Sequence, residues 1–208
     1  VFLPLAEMLG MWAVWREMGN RSLEKLNPRQ AWHEIGEILA GVEKKQQRQY
    51  AKLERVLEAA LAREGLEARL ALHLRSPISV YLRMQRGQPP ESNARRLAID
   101  VITSSKTDCY RVLGLVHELW TPNAPRTNPG VYVKDFLSCP RYNGHRVLTT
   151  KINHEGVIDG IEVNTRIEVR IRTELMELVN ELGFVAAKQL LTPAETMPGV
   201  WWDNADTL

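Results

Sequence analysis

The stretch IEVNTRIEVRIRT, residues 161–173, constrains the fold most, because charged and apolar side chains alternate along it. Ile167, Val169 and Ile171 share one face of an extended chain. The opposite face carries four charged residues at a spacing of two: Arg166, Glu168, Arg170 and Arg172. The pattern predicts a β-strand with one apolar and one charged face.

Residues 1–64, in contrast, predict helices only. The apolar residues Phe2, Leu5 and Leu9 recur at helical spacing, and a short second helix is expected at Leu23–Leu26. Pro28 at a first helical position opens a long charged helix, which bends or breaks at Gly41 and ends at Gly65.

The remaining segments complete an α+β pattern. Strands are expected at 68–75, 95–103 and 145–153 besides 161–173, with a turn at 154–160. Helices are expected at 78–86, from a cap at Asp108 to Trp120, and at 174–191. This order predicts a mixed sheet with helices packed on it, and there is no glycine fingerprint of a dinucleotide site or P-loop.

Composition excludes several function classes. The net charge of +2 gives no global attraction to nucleic acid or membrane, so any anion site must be local. Cys109 and Cys139 lack metal spacing, which favours reduced thiols in the cytoplasm. No apolar run is long enough to span a membrane. Because the chain starts with Val rather than Met, we expect it to be a piece of a longer protein.

The charged face of 161–173 has two interpretations. Three arginines around Glu168 repel one another, and a triphosphate would neutralise them while Glu168 held a bridging Mg²⁺. Alternatively, the face is solvent-exposed and Glu168 is satisfied by its arginine neighbours.

A second cluster surrounds the turn signal Asn143-Gly144 in CPRYNGHRVLTT, residues 139–150. Arg141, Tyr142, His145 and Arg146 crowd around this turn. The cluster is either a solvated hairpin or a site for a planar, phosphate-bearing ligand, since guanidinium binds phosphate and rings stack on bases.

Three motifs together resemble the synthetase domain of the RelA/SpoT family. DCYRVLGLVHELW is similar to the family pattern DCY-x-x-LG-x-x-H-x-x-W, and KDFLSCPRYNGHRVLTT is similar to KDYIA-x-PK-x-NGY-x-SLHTT. IEVRIRTELM resembles E-V-Q-I-RT-x-x-M, and VFLPLAEMLGMW resembles the segment that follows the family's HD hydrolase domain. The resemblance implies an N-terminal helical bundle followed by a nucleotidyltransferase-like mixed five-stranded sheet with flanking helices.

The resemblance also implies an activity: transfer of pyrophosphate from ATP to the 3′-hydroxyl of GTP or GDP, giving (p)ppGpp. On the ATP side, HLRSPISVYLRM resembles R-x-K-x-x-x-S-I-x-x-K-M. His73 replaces an adenine-stacking Arg, Ser79 is retained, and arginine replaces lysine at Arg75 and Arg83. Lys134 and Arg141 complete the set of residues that the resemblance assigns to ATP and its phosphates.

On the GTP side, the resemblance implies a set of five residues: Asn143, His145, Arg146, Arg170 and Arg172. His145 stands where the family has a guanine-stacking Tyr. Glu168 matches the catalytic, Mg²⁺-binding Glu of the family.

The second Mg²⁺ ligand departs from the family pattern D-x-x-A-x-R-I. With a two-residue insertion, Asn93 falls at the Asp position and Ala98 at the Arg position. Asp100 is the only carboxylate on that strand, and it lies too far along the strand to match the Asp position of the family pattern. Since Asn is a weaker Mg²⁺ ligand than a carboxylate, two functions remain open: an active synthetase, or a degenerate one that binds nucleotides or regulates.

The implied organisation has three parts: a helical region at 1–64, the synthetase-like domain at 65–192, and a tail or linker at 193–208. The resemblance implies ATP and GTP or GDP as partners, Mg²⁺ as cofactor, an HD hydrolase domain upstream and regulatory domains downstream.

Overall fold

A five-stranded mixed sheet organises the computed structural model, which describes residues 2–26, 31–89, 97–123, 132–158 and 161–183. The strands are β1 (Ala68–Leu72), β2 (Leu97–Thr103), β3 (Val133–Asp135), β4 (Leu148–Ile158) and β5 (Ile161–Thr173). Their spatial order is β1-β2-β5-β4-β3. Only β2 and β5 pair in parallel, while β1–β2, β5–β4 and β4–β3 are antiparallel. This topology confirms the predicted mixed sheet.

Six helices belong to the described part: α1 (Phe2–Met8), α2 (Trp12–Leu26), α3 (Ala31–Arg63), α4 (Pro77–Met84), α5 (Lys106–Leu119) and α6 (Glu174–Leu182). The C-terminal half of α3 and the helix α5 cover the apolar face of the sheet. Leu57 of α3 and Val112 of α5 join Ile99, Val169 and Ile171 in one buried cluster. The opposite face of the sheet is thereby left for polar side chains.

The N-terminal helices pack beside the sheet through α4. Ile78 of α4 is buried with Ala6 and Trp15, and Val80 is buried with Leu23 and Ile35. The helices α2 and α4 approach closely at Gly19, where an added Cβ would lie 2.7 Å from Ile78. This contact fixes α4, which carries predicted ATP-side residues, on the helical region.

Several helix boundaries differ from the prediction. The helix α2 runs unbroken to Leu26, and α3 passes through Gly41 without a break. Gly65 follows α3 with a φ of 62°, as expected for a residue that ends a helix. The proposed start at Pro28 lies outside the described residues.

The cap of α5 was assigned to the wrong residue. Ser105 caps the helix: its hydroxyl accepts a hydrogen bond from the Asp108 backbone N–H at 3.1 Å and donates to the Asp108 carboxylate at 2.7 Å. Asp108 therefore stands three residues inside the cap, as in a capping box with Asp in place of Glu.

Strand boundaries differ as well. The strand β1 ends at Leu72 rather than 75, and β4 begins at Leu148 rather than 145. It continues to Ile158 through the segment that was predicted as a turn, because its backbone pairs with β5 along that whole length. The short strand β3 was not located in the sequence.

The last helix ends at Leu182, earlier than the predicted 191. Gly183 follows with a φ of 81°, and a Cβ there would lie 2.6 Å from the Leu9 carbonyl oxygen. Residues 184–208, including the predicted tail, lie outside the described part. Within that part no helix combines the length and the apolarity that a membrane crossing requires.

Candidate functional site

The charged face of β5 lies opposite the core, as its alternation predicts. Ile167, Val169 and Ile171 are buried in the core. The strand register places Ala98, Asp100 and Ile102 of β2 beside Glu168, Arg170 and Arg172 respectively. On the other side, Lys151 of β4 pairs with Glu168 and Thr149 pairs with Arg170. Lys134 of β3 pairs with Thr149 and completes the row.

Asp100 binds both arginines that precede the end of β5. Arg170 donates from Nε to Oδ1 at 2.6 Å and from Nη2 to Oδ2 at 2.7 Å. Arg172 donates to the same two oxygens at 3.2 and 3.1 Å. Asp100 is only 6% exposed, so this is a buried ion cluster. Buried charges require such pairing, and Asp100 supplies it from an otherwise apolar strand.

His73 joins this cluster directly after β1. Nδ1 of His73 lies 2.7 Å from Nη2 of Arg170 and 3.5 Å from the Asp100 carboxylate. Burial acts to raise the pKa of Asp100, but its hydrogen bonds with His73 and Arg170 and the charge of Arg170 prevail and hold that pKa far below its usual range. Asp100 is therefore ionised throughout the physiological pH range.

The ion cluster continues to α6. Arg172 also donates to Glu177 at 3.2 Å, and Arg69 of β1 donates to the other Glu177 oxygen at 2.9 Å. Burial acts to lower the pKa of Arg172, but Asp100 and Glu177 outweigh it and raise that pKa. An external anion is consequently not needed to neutralise Arg170 and Arg172, although their charge suggested one.

Glu168 differs from its neighbours on the same face. It is half-buried, and no hydrogen bond or ion pair of its carboxylate occurs among the described residues. The interpretation in which arginine neighbours satisfy Glu168 does not hold, because Arg170 turns to Asp100 instead. Glu168 can therefore offer a carboxylate to Mg²⁺, which proteins bind through one or two carboxylates plus phosphate oxygens.

The described residues contain no group of three or more acidic, His or Cys side chains that could hold a metal by itself. Asp100 does not serve as a second ligand, since two arginines occupy both of its oxygens. Asn93, the other predicted metal ligand, lies outside the described residues.

Several of the residues predicted for the ATP side lie in α4 or directly before it. Pro77 opens α4 after Ser76, whose hydroxyl lies 2.7 Å from that of Ser79. The backbone N–H of Ile78 is capped by Oδ1 of Asn20 in α2 at 3.1 Å. Arg83 lies in the last turn of α4 and Arg75 precedes the helix. At the opposite edge of the sheet, Lys134 is exposed on β3.

The loop 141–147 is held from two sides. Gly144, with a φ of 75°, donates to the Arg141 carbonyl at 2.9 Å, which confirms the turn. Asn143 is buried and donates to the Glu7 carbonyl of α1 at 3.3 Å. From α6, Asn180 accepts from the Arg146 backbone N–H at 2.9 Å and donates to the Arg146 carbonyl at 2.7 Å.

His145 of this loop contacts the helical region. Its ring lies edge-on to Trp12, with centroids 6.4 Å apart. Burial, with the charges of Arg141 and Arg170, lowers the pKa of His145 to about 4, so the ring is neutral at pH 7. Nδ1 of His145 and Nε1 of Trp12 are buried and have no hydrogen-bond partner in the described structure.

Two other predicted basic residues of this loop have separate environments. The Arg141 guanidinium lies over the Phe136 ring, 4.5 Å from its centroid. Arg146 is buried, and burial lowers its pKa.

Sequence reasoning missed the parts played by Asp100, Trp12 and Asn180. A signal existed for Asp100 alone, because a carboxylate inside the apolar strand LAIDVIT requires a buried cation nearby. Trp12 and Asn180 lie in helical segments where no sequence pattern marks them.

Comparison with known proteins supports the family resemblance. Residues 73–190 match the model of a region found in RelA / SpoT proteins. The chain is 29% identical to the GTP pyrophosphokinase rsh of Brucella ovis over 187 residues, which cover 89% of this chain and 23% of that protein. It is 30% identical to a probable chloroplastic GTP diphosphokinase, RSH3 of Arabidopsis thaliana, over 190 residues, covering 89% and 24%. The chain thus spans about a quarter of the length of these relatives.

Solved structures share the fold. Small alarmone synthetase 2 from Bacillus subtilis gives a TM-score of 0.53 at 17% identity, covering 81% of this chain and 86% of that one. Small alarmone synthetase 1 from the same organism, bound to its product pppGpp, gives a TM-score of 0.54 at 11% identity, covering 80% and 84%. These likenesses confirm the fold class predicted from the sequence.

Proposed function

Because the chain belongs to the family of RelA/SpoT proteins, we propose that it is the synthetase part of an enzyme that makes (p)ppGpp. The reaction moves pyrophosphate from ATP to the 3′-hydroxyl of GTP or GDP. The observation that carries the proposal is Glu168, whose carboxylate has no partner among the described residues and lies on a sheet face that is otherwise rich in cations.

In the proposed reaction, the 3′-oxygen of the guanosine nucleotide attacks the β-phosphorus of ATP. The bond from that phosphorus to the α,β-bridging oxygen breaks, and AMP leaves. Glu168 accepts the proton of the 3′-hydroxyl. Positioning and charge neutralisation provide most of the catalysis in such transfers. Mg²⁺, when bound through Glu168, would neutralise charge on the transferred phosphates.

The nucleotide-binding residues are assigned by the family resemblance and their position. ATP would lie across α4 and the neighbouring strands, on a set comprising His73, Arg75, Ser79, Arg83, Lys134 and Arg141. The guanine would pack on the neutral His145 in the loop that Asn143 and Arg146 anchor. The assignment of Arg170 and Arg172 to GTP stays a prediction.

A degenerate synthetase that binds nucleotides without turnover is the second candidate. One observation favours it: Asp100 forms ion pairs with both Arg170 and Arg172, two cations that the family resemblance assigns to ligand binding.

A radiolabel assay decides between the two candidates. The chain is incubated with γ-labelled ATP, GTP and Mg²⁺, and products are separated by thin-layer chromatography. We expect labelled (p)ppGpp from the wild type, a loss of at least about a hundredfold in Glu168→Gln, and full activity in Glu67→Gln, an exposed control distant from the site. Equal synthesis by Glu168→Gln would exclude its catalytic role. Nucleotide binding without any product would favour the degenerate synthetase.

The wider setting is also proposed. Since the chain spans about a quarter of its relatives, an HD hydrolase domain upstream and regulatory domains downstream would complete a cytoplasmic enzyme. A net charge of +2 supports nucleotides rather than nucleic acid as partners.

A further inference from the structure

The polar face of the sheet is divided into two sets of charges. The paired set consists of Asp100, Arg170, Arg172 and His73, which bond to one another. The open set consists of Glu168, Lys151, Arg166 and Lys134, whose side chains make no hydrogen bond or ion pair within the described residues. The two sets lie side by side along β5, and only the open set is without partners among the described residues.

The paired set is closed to an incoming phosphate. Four N–O distances of 2.6 to 3.2 Å join the two guanidiniums to both oxygens of Asp100. Arg172 and Asp100 are almost completely buried. A ligand phosphate would have to displace a carboxylate that is covalently part of the strand and already bidentately bound.

The open set, in contrast, is accessible to an incoming phosphate. Lys151 lies directly across from Glu168 in the antiparallel register, where Cβ atoms are about 5 Å apart, yet no ion pair joins the two side chains. The backbone of Lys151 is fixed, since its N–H donates to the Tyr132 carbonyl at 3.3 Å and its carbonyl accepts from Asn123 at 2.7 Å. The backbone thus holds an exposed lysine beside the carboxylate that would hold Mg²⁺.

We propose that Asp100 acts as an internal anion that withdraws Arg170 and Arg172 from phosphate binding, and that Lys151 holds the ligand phosphates beside Glu168. Lys134 and Arg166 flank this position on the same face. The inference rests on the proposed function, because it specifies which cations of that site meet the pyrophosphate being transferred. Lysine suits the role as a compact charge that binds phosphate oxygens.

Isothermal titration of inorganic pyrophosphate with Mg²⁺ tests the role of Lys151 without requiring turnover. We expect Lys151→Gln to weaken binding about tenfold, the effect of losing one charge-assisted contact. Lys44→Gln is the matched control, since it removes the same charge from an exposed position on α3 and should leave the affinity within about twofold. Equal affinities for Lys151→Gln and Lys44→Gln would overturn the proposal.

Asp100→Asn provides the second arm. Its expected result is a gain: pyrophosphate binds at least about threefold more tightly, because two guanidiniums become available. A purely structural Asp100 would give weaker binding instead, and a folded Asp100→Asn that binds no more tightly than wild type contradicts the proposal. Circular dichroism establishes whether this variant folds, and if it does not, Lys151→Gln alone decides.

The outcomes also separate this inference from the proposed function. Weakened pyrophosphate binding in Lys151→Gln, together with a wild type that makes no (p)ppGpp, would support the site while excluding the transfer reaction. Synthesis by the wild type that survives unchanged in Lys151→Gln, with unchanged binding, would support the reaction and exclude the inference.

Discussion

At the scale of single residues, neighbouring groups determine what each ionisable side chain can do. Asp100 and Glu168 lie on adjacent strands and the same sheet face, two residues apart in register. Two arginines form ion pairs with Asp100 and keep it ionised, whereas Glu168 has no partner among the described residues. One carboxylate is thus structural and the other is available for chemistry.

His145 gives a testable pH dependence. Its pKa is about 4 in the folded protein, below the ordinary 6.5, so the unfolded chain binds a proton in that interval while the folded chain does not. Stability should therefore fall as the pH falls from 6.5 to 4, by about 3 kcal/mol from this residue. Urea unfolding across this range should show the loss in the wild type.

The variant His145→Gln isolates this contribution. His117 and His154, whose pKa values burial also lowers, are present in both proteins, so the difference between the two pH profiles belongs to His145. Parallel profiles would show that His145 titrates normally in the folded state.

At the scale of elements, the periodicity of apolar residues predicted which helices and strands exist better than it predicted where they begin and end. The alternation in 161–173 predicted β5 with its correct bounds, since one face is buried along the part whose burial is described. The extension of β4 to Ile158 was missed, because Gly156 and polar residues suggest a turn while the pairing with β5 is a long-range interaction. The three-residue β3 carries too little pattern to be recognised.

The geometry of the candidate site was predictable only in part. Motifs singled out Glu168 and the loop around Asn143, because these patterns are local in sequence, and their roles stay predictions. The pairing of Asp100 with Arg170 could not be predicted from local motifs, because it depends on the parallel alignment of β2 and β5, and the two residues are 70 positions apart.

The helix α6 supplies an element-scale prediction through Asn180. Its amide satisfies both backbone groups of Arg146, which are buried. Asn180→Ala should lower the free energy of unfolding by about 1–3 kcal/mol, because both groups lose their partner. Hydrogen exchange should accelerate at 141–147 in this variant but not in Glu174→Ala, an exposed change on the same helix. Unchanged exchange in the loop would show that Asn180 does not anchor it.

At the scale of the whole molecule, the helical region and the sheet meet at the candidate guanine loop. Gly10, between α1 and α2, has a φ of 70°, and a Cβ there would lie 2.8 Å from the Asn143 carbonyl oxygen. Trp12 contacts His145 from the same junction. A displacement of the N-terminal helices would therefore be transmitted directly to the loop.

Gly10→Ala tests this connection. The left-handed backbone costs alanine about 1–2 kcal/mol before the clash with Asn143 is counted, so thermal unfolding should occur at a lower temperature. Gly41→Ala, in open space on the exposed side of α3, should instead stabilise the protein by about 0.5–1 kcal/mol. A Gly10→Ala variant as stable as wild type would show that the junction tolerates a side chain.

The parallel pairing of β2 with β5 also has a consequence for synthesis on the ribosome. The two strands are 70 residues apart, so at about 5–20 residues per second β2 waits roughly 4–14 s for its partner. During that interval an apolar strand and the Asp100 carboxylate are both without their final neighbours. The nascent chain therefore passes through a stage in which an incomplete sheet exposes apolar surface, and at that stage it is most prone to aggregate.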